Sequence, residues 1–81
     1  MNLEAQRKLE SFERLDGQGA YNQALRYLHE AATALGVGLD WSDARGTWRV
    51  VKRSDDGVET REFRTTWGAS QLLWDYSHRE G

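Results

Sequence analysis

The sequence predicts an α+β domain in two layers, with the element order α-α-β-β-β-α and a three-stranded antiparallel meander packed by helices. Apolar residues recur at helical spacing in two segments before residue 36 and in one segment after residue 66. Between these segments the apolar period falls to two, and clusters of Asp, Ser and Gly interrupt it twice. Helices that precede and follow a short meander along the chain can both pack on one face of its sheet. The result is a two-layer single domain over residues 1–81.

Two helices are predicted in the N-terminal half, at residues 3–15 and 20–35. The first has a narrow apolar side, and the tract 16–19 ends it because two glycines there supply positive φ angles and no packing side chain. The second has the clearest helical periodicity in the chain, and Gly36 is placed to end it. Its predicted buried residues are Tyr21, Ala24, Leu25, Leu28, Ala31, Ala32 and Leu35.

Three strands are predicted after the second helix, at residues 37–41, 47–53 and 58–66. Each has the alternation of a strand with one covered face, and turn residues separate them. The alternation assigns three large apolar side chains to the inner face, namely Trp48, Val50 and Phe63. Trp48 is therefore expected in the core.

The register of the second hairpin has two solutions. A four-residue loop at 54–57 sets Arg49 opposite Glu62, whereas a two-residue loop at 56–57 sets it opposite Arg64. We favour the four-residue loop, because opposite charges stabilise a cross-strand pair and like charges destabilise it.

The last helix is predicted at residues 67–79, with Thr66 as its N-cap. Its predicted buried side consists of Ala69, Leu72, Leu73 and Tyr76. The opposite side carries Trp67, Gln71, Trp74 and His78. Two indoles stand there where Lys, Glu and Arg are usual on an exposed helix side. Either the first helix covers them within the monomer, or they form a protein-binding surface of the kind that tryptophan anchors.

A second candidate surface is the outer face of the sheet, because six bases and four acids lie between residues 45 and 64. Bases beside aromatic residues are the mixture that nucleic-acid surfaces use. The candidate residues are Arg49, Arg53 and Arg64 on that face, with Lys52 and Arg61 near the edges of the sheet. They support nucleic-acid binding as the alternative function.

From Ala20 onward, the order α-β-β-β-α resembles the topology of the double-stranded-RNA-binding domain. That family uses lysines at the start of its last helix. The matching stretch here, residues 65–70, contains no lysine. The resemblance therefore implies a fold and not duplex binding.

Composition excludes several classes of protein. The chain has no cysteine, two histidines and a formal net charge of −2, so it has neither a disulfide framework nor a thiolate zinc site. The tract 17–19 lacks the third glycine of a dinucleotide-binding loop. Asp75 and His78 are one helical turn apart, but no metal-binding motif surrounds them. We therefore expect no enzyme activity, no metal and no cofactor.

These observations predict a small non-enzymatic protein-interaction module. Phages and other mobile elements encode inhibitors and adaptors of this size, which mask a partner's surface, and we interpret the chain as one of that type. The first ten residues contain no apolar signal region, and no later segment has transmembrane length. The expected location is the cytoplasm, without membrane contact. A structural homodimer is a further alternative to the nucleic-acid module.

Overall fold

The computed structural model, which describes residues 1–79, has two helices, a meander and a C-terminal helix. The elements are α1 Leu3–Gly17, α2 Tyr21–Leu35, β1 Gly38–Ser42, β2 Thr47–Ser54, β3 Gly57–Phe63 and α3 Thr66–Arg79. The strands form one antiparallel sheet in the order β1-β2-β3. The predicted α+β class and element order are confirmed. Within the described residues, no helix is both long enough and apolar enough to cross a membrane.

Asn2 joins the three helices at one end of the molecule. Its side-chain Oδ1 accepts a hydrogen bond from the amide of Ala5 at 3.0 Å and so caps α1. Its Nδ2 donates to the carbonyl of Ala34 at 3.0 Å, and its backbone amide donates to the carbonyl of Ser77 at 2.8 Å. The start of α1 is therefore tied to the last turns of both α2 and α3. The sequence interpretation missed this junction.

The contact between α1 and α2 is apolar at its centre and ionic at its border. Lys8 Nζ lies 2.8 Å from Glu30 Oε1 and 5.5 Å from the ring centroid of Tyr27. The hydrogen bond between the two charged groups raises the pKa of Lys8 and lowers the pKa of Glu30. Exposed pairs of this type add little free energy, so the contact depends on the buried side chains. These are Ala5, Leu9, Phe12, Ala24, Leu28 and Ala31.

Helix α2 ends where the sequence predicts, at Leu35, but its first residue is not buried as expected. Gly36 has a φ of 72°, in the left-handed region that glycine adopts without strain, and it caps the helix. Tyr21 was expected to be buried, but it is exposed. It is the first residue of the helix and lies close to the exposed connecting residues 18–19, so α1 does not cover it.

The predicted register of the second hairpin is confirmed, because Arg49 lies opposite Glu62. Pairing continues one step further than expected, to Ser54 and Gly57, and leaves a two-residue turn at 55–56. Gly57 has a φ of 129°, which a residue with a Cβ rarely adopts. The glycine therefore takes the strained position of the turn.

The strand β3 ends three residues earlier than predicted, at Phe63 instead of residue 66. The chain bends at residues 64–65, and α3 already includes Thr66. Thr65 caps the helix, since its Oγ1 accepts a hydrogen bond from the amide of Gly68 at 3.2 Å. The predicted cap at Thr66 is wrong by one residue. Both threonines have the hydroxyl that an N-cap requires, so the sequence alone could not show which of them caps α3.

The helix-facing side of the sheet is centred on Trp48, as predicted. Trp48 is 7% exposed and pairs across the sheet with Trp41 on one side and Phe63 on the other. The edge of the His29 ring lies against its indole, with 6.1 Å between ring centroids. A Cβ at Gly68 would lie 3.0 Å from the Phe63 ring, so α3 begins close against β3.

Replacing Trp48 with alanine should lower the free energy of unfolding by about 3–5 kcal/mol, because the lost burial and the cavity add. Urea denaturation followed by circular dichroism measures this change. Trp41→Ala is the matched control and should cost less than half as much, since that indole is 46% exposed. A Trp48→Ala protein with wild-type stability would contradict the assignment of the sheet faces.

Candidate protein-interaction surface on α3

Helix α3 is the element that contacts α1, α2, β2 and β3. Its buried residues occupy a wide arc of the helix and comprise Thr66, Ala69, Ser70, Leu72, Leu73, Tyr76 and Ser77. This arc includes all four residues that the sequence analysis assigned to the buried side. A helix held from several directions is a rigid support for whatever its remaining side presents.

On the side of α3 toward α1, the buried residues include two serines. The hydroxyl of Ser70 donates to the carbonyl of Trp67 at 2.7 Å, and that of Ser77 donates to the carbonyl of Trp74 at 2.6 Å. Each buried hydroxyl is thereby satisfied within its own helix. Gln6 Nε2 of α1 also donates to Ser77 Oγ at 3.3 Å. Small side chains at these two positions let α1 approach α3 closely.

On the side of α3 toward the sheet, Tyr76 connects the helix to β2 and β3. Its ring lies under the ammonium of Lys52, with Nζ 4.4 Å from the ring centroid. Its hydroxyl donates to Glu59 Oε1 at 3.3 Å. Burial raises the pKa of Tyr76, and the nearby carboxylate of Glu59 raises it further. The phenol therefore stays protonated and remains a hydrogen-bond donor.

The remaining side of α3 is the predicted stripe, and its two indoles differ. Trp67 is 51% exposed, and Gln71 is also exposed. Trp74 is partly buried against the core and stacks on the His78 ring, with 6.0 Å between ring centroids. Gln6 Nε2 lies 3.4 Å from His78 Nδ1, so α1 borders the C-terminal end of the stripe. Trp67 is thus the more exposed of the two indoles, and Trp74 is the one packed against the core.

Two tryptophans are about half exposed, and only one has an internal role that explains its position. The indole N–H of Trp41 donates to Asp43 Oδ1 at 2.7 Å, and the ring centroids of Trp41 and Trp48 are 5.3 Å apart. Trp41 therefore covers the edge of the core. Within residues 1–79, no hydrogen-bond acceptor reaches the indole N–H of Trp67. Trp67 is thus the half-exposed tryptophan whose indole N–H the described residues leave without an acceptor.

The five candidate basic residues do not lie on one face of the sheet. Arg49 and Arg53 lie on that face, because they alternate with the buried residues of β2. Lys52 is four residues from Trp48 along β2, and Arg61 is two residues from Phe63 along β3. Both therefore lie on the helix-facing side, because alternate residues of a strand share a face. Arg64 follows the end of β3. The prediction of one basic surface is therefore corrected.

Acidic neighbours also occupy two of these bases. Arg49 binds Asp40 through both Nε and Nη2, at 3.1 and 3.2 Å. This hydrogen bonding raises the pKa of Arg49 and holds the charge in place. Arg61 Nε lies 3.0 Å from Glu59 Oε1. A phosphate would have to displace these carboxylates before it could bind.

The side chains considered for metal binding have other contacts. Asp75 Oδ2 lies 2.7 Å from Arg79 Nη2, and the ring of His78 stacks on Trp74. Across the described part of the chain, no three acidic or histidine side chains come together as a metal site requires.

Comparisons with protein-family models, with curated proteins and with solved structures find no match to this chain. A function must therefore be inferred from the surfaces themselves. Of the two surfaces that the sequence singled out, the α3 stripe is continuous and the basic set is divided.

We expect dissociation constants weaker than about 10 μM for duplex and single-stranded nucleic acid at physiological salt, in the range of non-specific contact. The reason is that the bases are split between two faces and partly neutralised. Fluorescence anisotropy across a salt series measures this. Submicromolar, salt-sensitive binding that disappears when Arg49, Arg53 and Arg64 are all replaced by alanine, with the fold intact, would overturn this expectation.

Proposed function

We propose that this chain is a non-enzymatic protein-interaction module that binds its partner through Trp67 and the adjoining stripe of α3. The observation that carries the proposal is the state of Trp67, which is half exposed and has an indole N–H without an acceptor in the described residues. Tryptophan is the residue most often found as an anchor at protein interfaces. A partner that supplied an acceptor and an apolar pocket would satisfy both parts of this side chain.

The support beneath the stripe favours binding. Because α3 is packed against both the sheet and α1, its exposed side needs little ordering when a partner docks. The neighbouring Gln71 and Trp74 extend the contact by one and two turns of helix, respectively. The surface therefore combines an aromatic anchor with a partly polar border, as protein interfaces usually do.

The charge on α1 indicates the chemistry of the partner. Gln6, Glu10 and Glu13 recur at i, i+4 and i+7, so they share one side of α1. Gln6 is the residue of that side which reaches His78 at the end of the stripe. The border of the stripe toward α1 is therefore acidic. A partner patch with an apolar side chain next to lysine or arginine would complement it.

Binding of this kind would act by covering a partner's surface, as an inhibitor or an adaptor does. Within this proposal, the chain belongs to the small inhibitors and adaptors of phages and other mobile elements, and it acts in the cytoplasm. A chain with no cysteine gains nothing from an oxidising compartment.

Replacing Trp67 with alanine should cost less than about 1 kcal/mol of folding stability, since the indole is half exposed. The same change should cost about 2 kcal/mol or more in partner affinity, because it removes the anchor. The partner is first captured on the immobilised wild-type chain from its host. Isothermal titration calorimetry with the purified partner then compares the two proteins.

Trp41→Ala is the matched control, because it removes an indole of similar exposure from β1. This strand is the sheet edge away from β3, next to which α3 begins. It should leave the affinity unchanged. If Trp41→Ala weakens binding and Trp67→Ala does not, the binding surface lies at β1 and the proposal fails. Loss of affinity in Trp67→Ala that accompanies loss of its circular dichroism signal would assign Trp67 a structural role instead.

A further inference from the structure

The strand β3 is an open edge of the sheet. It pairs with β2 on one side only, and residues 57–62 are exposed. Its register runs from Gly57 to Phe63 without a bulge, and it contains no proline. Bulges and prolines are among the devices by which proteins prevent an edge strand from pairing with another chain. This edge has neither.

The backbone of β3 presents a regular set of hydrogen-bonding groups outward. The pair Ser54 and Gly57 closes a two-residue turn and is hydrogen-bonded, so alternate residues from Gly57 point their N–H and C=O groups at β2. Val58, Thr60 and Glu62 therefore point theirs away from the sheet. Within residues 1–79, no further backbone hydrogen bond reaches these three residues.

The side chains of β3 are complementary to those of a second β3 that runs antiparallel to it. If the two-fold axis passes through Thr60, Glu59 of each copy lies opposite Arg61 of the other. If the axis passes through Glu59 or through Arg61 instead, that residue lies opposite its own copy, and like charges oppose each other. Charge therefore selects the register centred on Thr60. That register also places the outward groups of Val58 and Glu62 opposite each other.

The charged side chains involved are partly exposed and already arranged in the right order. Glu59 and Arg61 lie on the same side of the strand, 3.0 Å apart, and their side chains are 49% and 58% exposed. Lys52 of β2 lies opposite Glu59. In the pairing centred on Thr60, a row across the sheet would run from Lys52 through Glu59 to Arg61 of the second copy, with alternating sign.

We propose that β3 pairs with β3 of a second copy of this chain, antiparallel and centred on Thr60, so that the two meanders form one continuous sheet. The pairing leaves the Trp67 stripe free in each copy, because the stripe lies on a different side of α3 from the Tyr76 contact with the sheet. This self-association is independent of the proposed partner binding, and either can hold without the other.

Sedimentation equilibrium on two charge reversals tests the proposal. Glu59→Arg sets arginine opposite arginine in both halves of the interface, and Arg61→Glu sets glutamate opposite glutamate. Each variant alone should self-associate at least tenfold more weakly than the wild type. Mixed in equal amounts, the two variants should associate again, because a heterodimer regains both pairs of opposite charge. A structural defect in either variant would not be repaired by mixing.

Two further variants complete the test. Arg7→Glu makes the same change of charge as Arg61→Glu at an exposed position on α1 and should leave self-association unchanged. Thr60→Pro removes an outward N–H that β2 does not use, so it should weaken self-association at least tenfold while the circular dichroism spectrum stays that of the wild type. This variant also tests the pairing without any change of charge.

Two results would overturn the proposal. One is a wild-type chain that stays monomeric up to about 1 mM, which would mean that the edge association is weaker than about 4 kcal/mol. The other is a dimer that neither charge reversal nor Thr60→Pro weakens, which would place the interface on another surface.

Discussion

The burial of α3 from two directions is the constraint on which the rest of the structure depends. Tyr76 packs on the sheet beside Lys52, and Ser77 packs toward α1 beside Gln6. Asn2 then ties the start of α1 to the carbonyl of Ser77. The chain has no cysteine with which to cross-link these layers. Because one helix belongs to both contacts, the three helices and the sheet form a single core, and α3 retains one narrow exposed side.

That exposed side and the open edge of β3 are the two surfaces to which we assign binding. Both are supported by rigid elements, but their chemistry differs. The stripe on α3 offers an indole and would gain most from an apolar pocket. The edge of β3 offers backbone groups and alternating charges, which suit an identical strand. A protein that dimerised through β3 would present two copies of the Trp67 stripe, and a multivalent partner would then bind with increased avidity.

Local patterns predicted much of this structure, and tertiary contacts decided the rest. Helical periodicity identified the buried side of α3, and charge identified the register of Arg49 with Glu62. Lys52 was placed near the edge of the sheet, although its spacing of four residues from Trp48 puts it on the helix-facing side. The different exposure of Trp67 and Trp74 could not be predicted, since both lie on the same side of the helix and only tertiary packing distinguishes them.

The central claim is that the fold leaves Trp67 half exposed while it buries Trp48. Fluorine NMR of the chain labelled with 5-fluorotryptophan, with a soluble gadolinium chelate as the relaxation agent, tests this directly. Single Trp→Phe variants assign the four resonances. We expect strong broadening for Trp67 and Trp41, less for Trp74 and least for Trp48. A Trp67 resonance as protected as that of Trp48 would contradict the account.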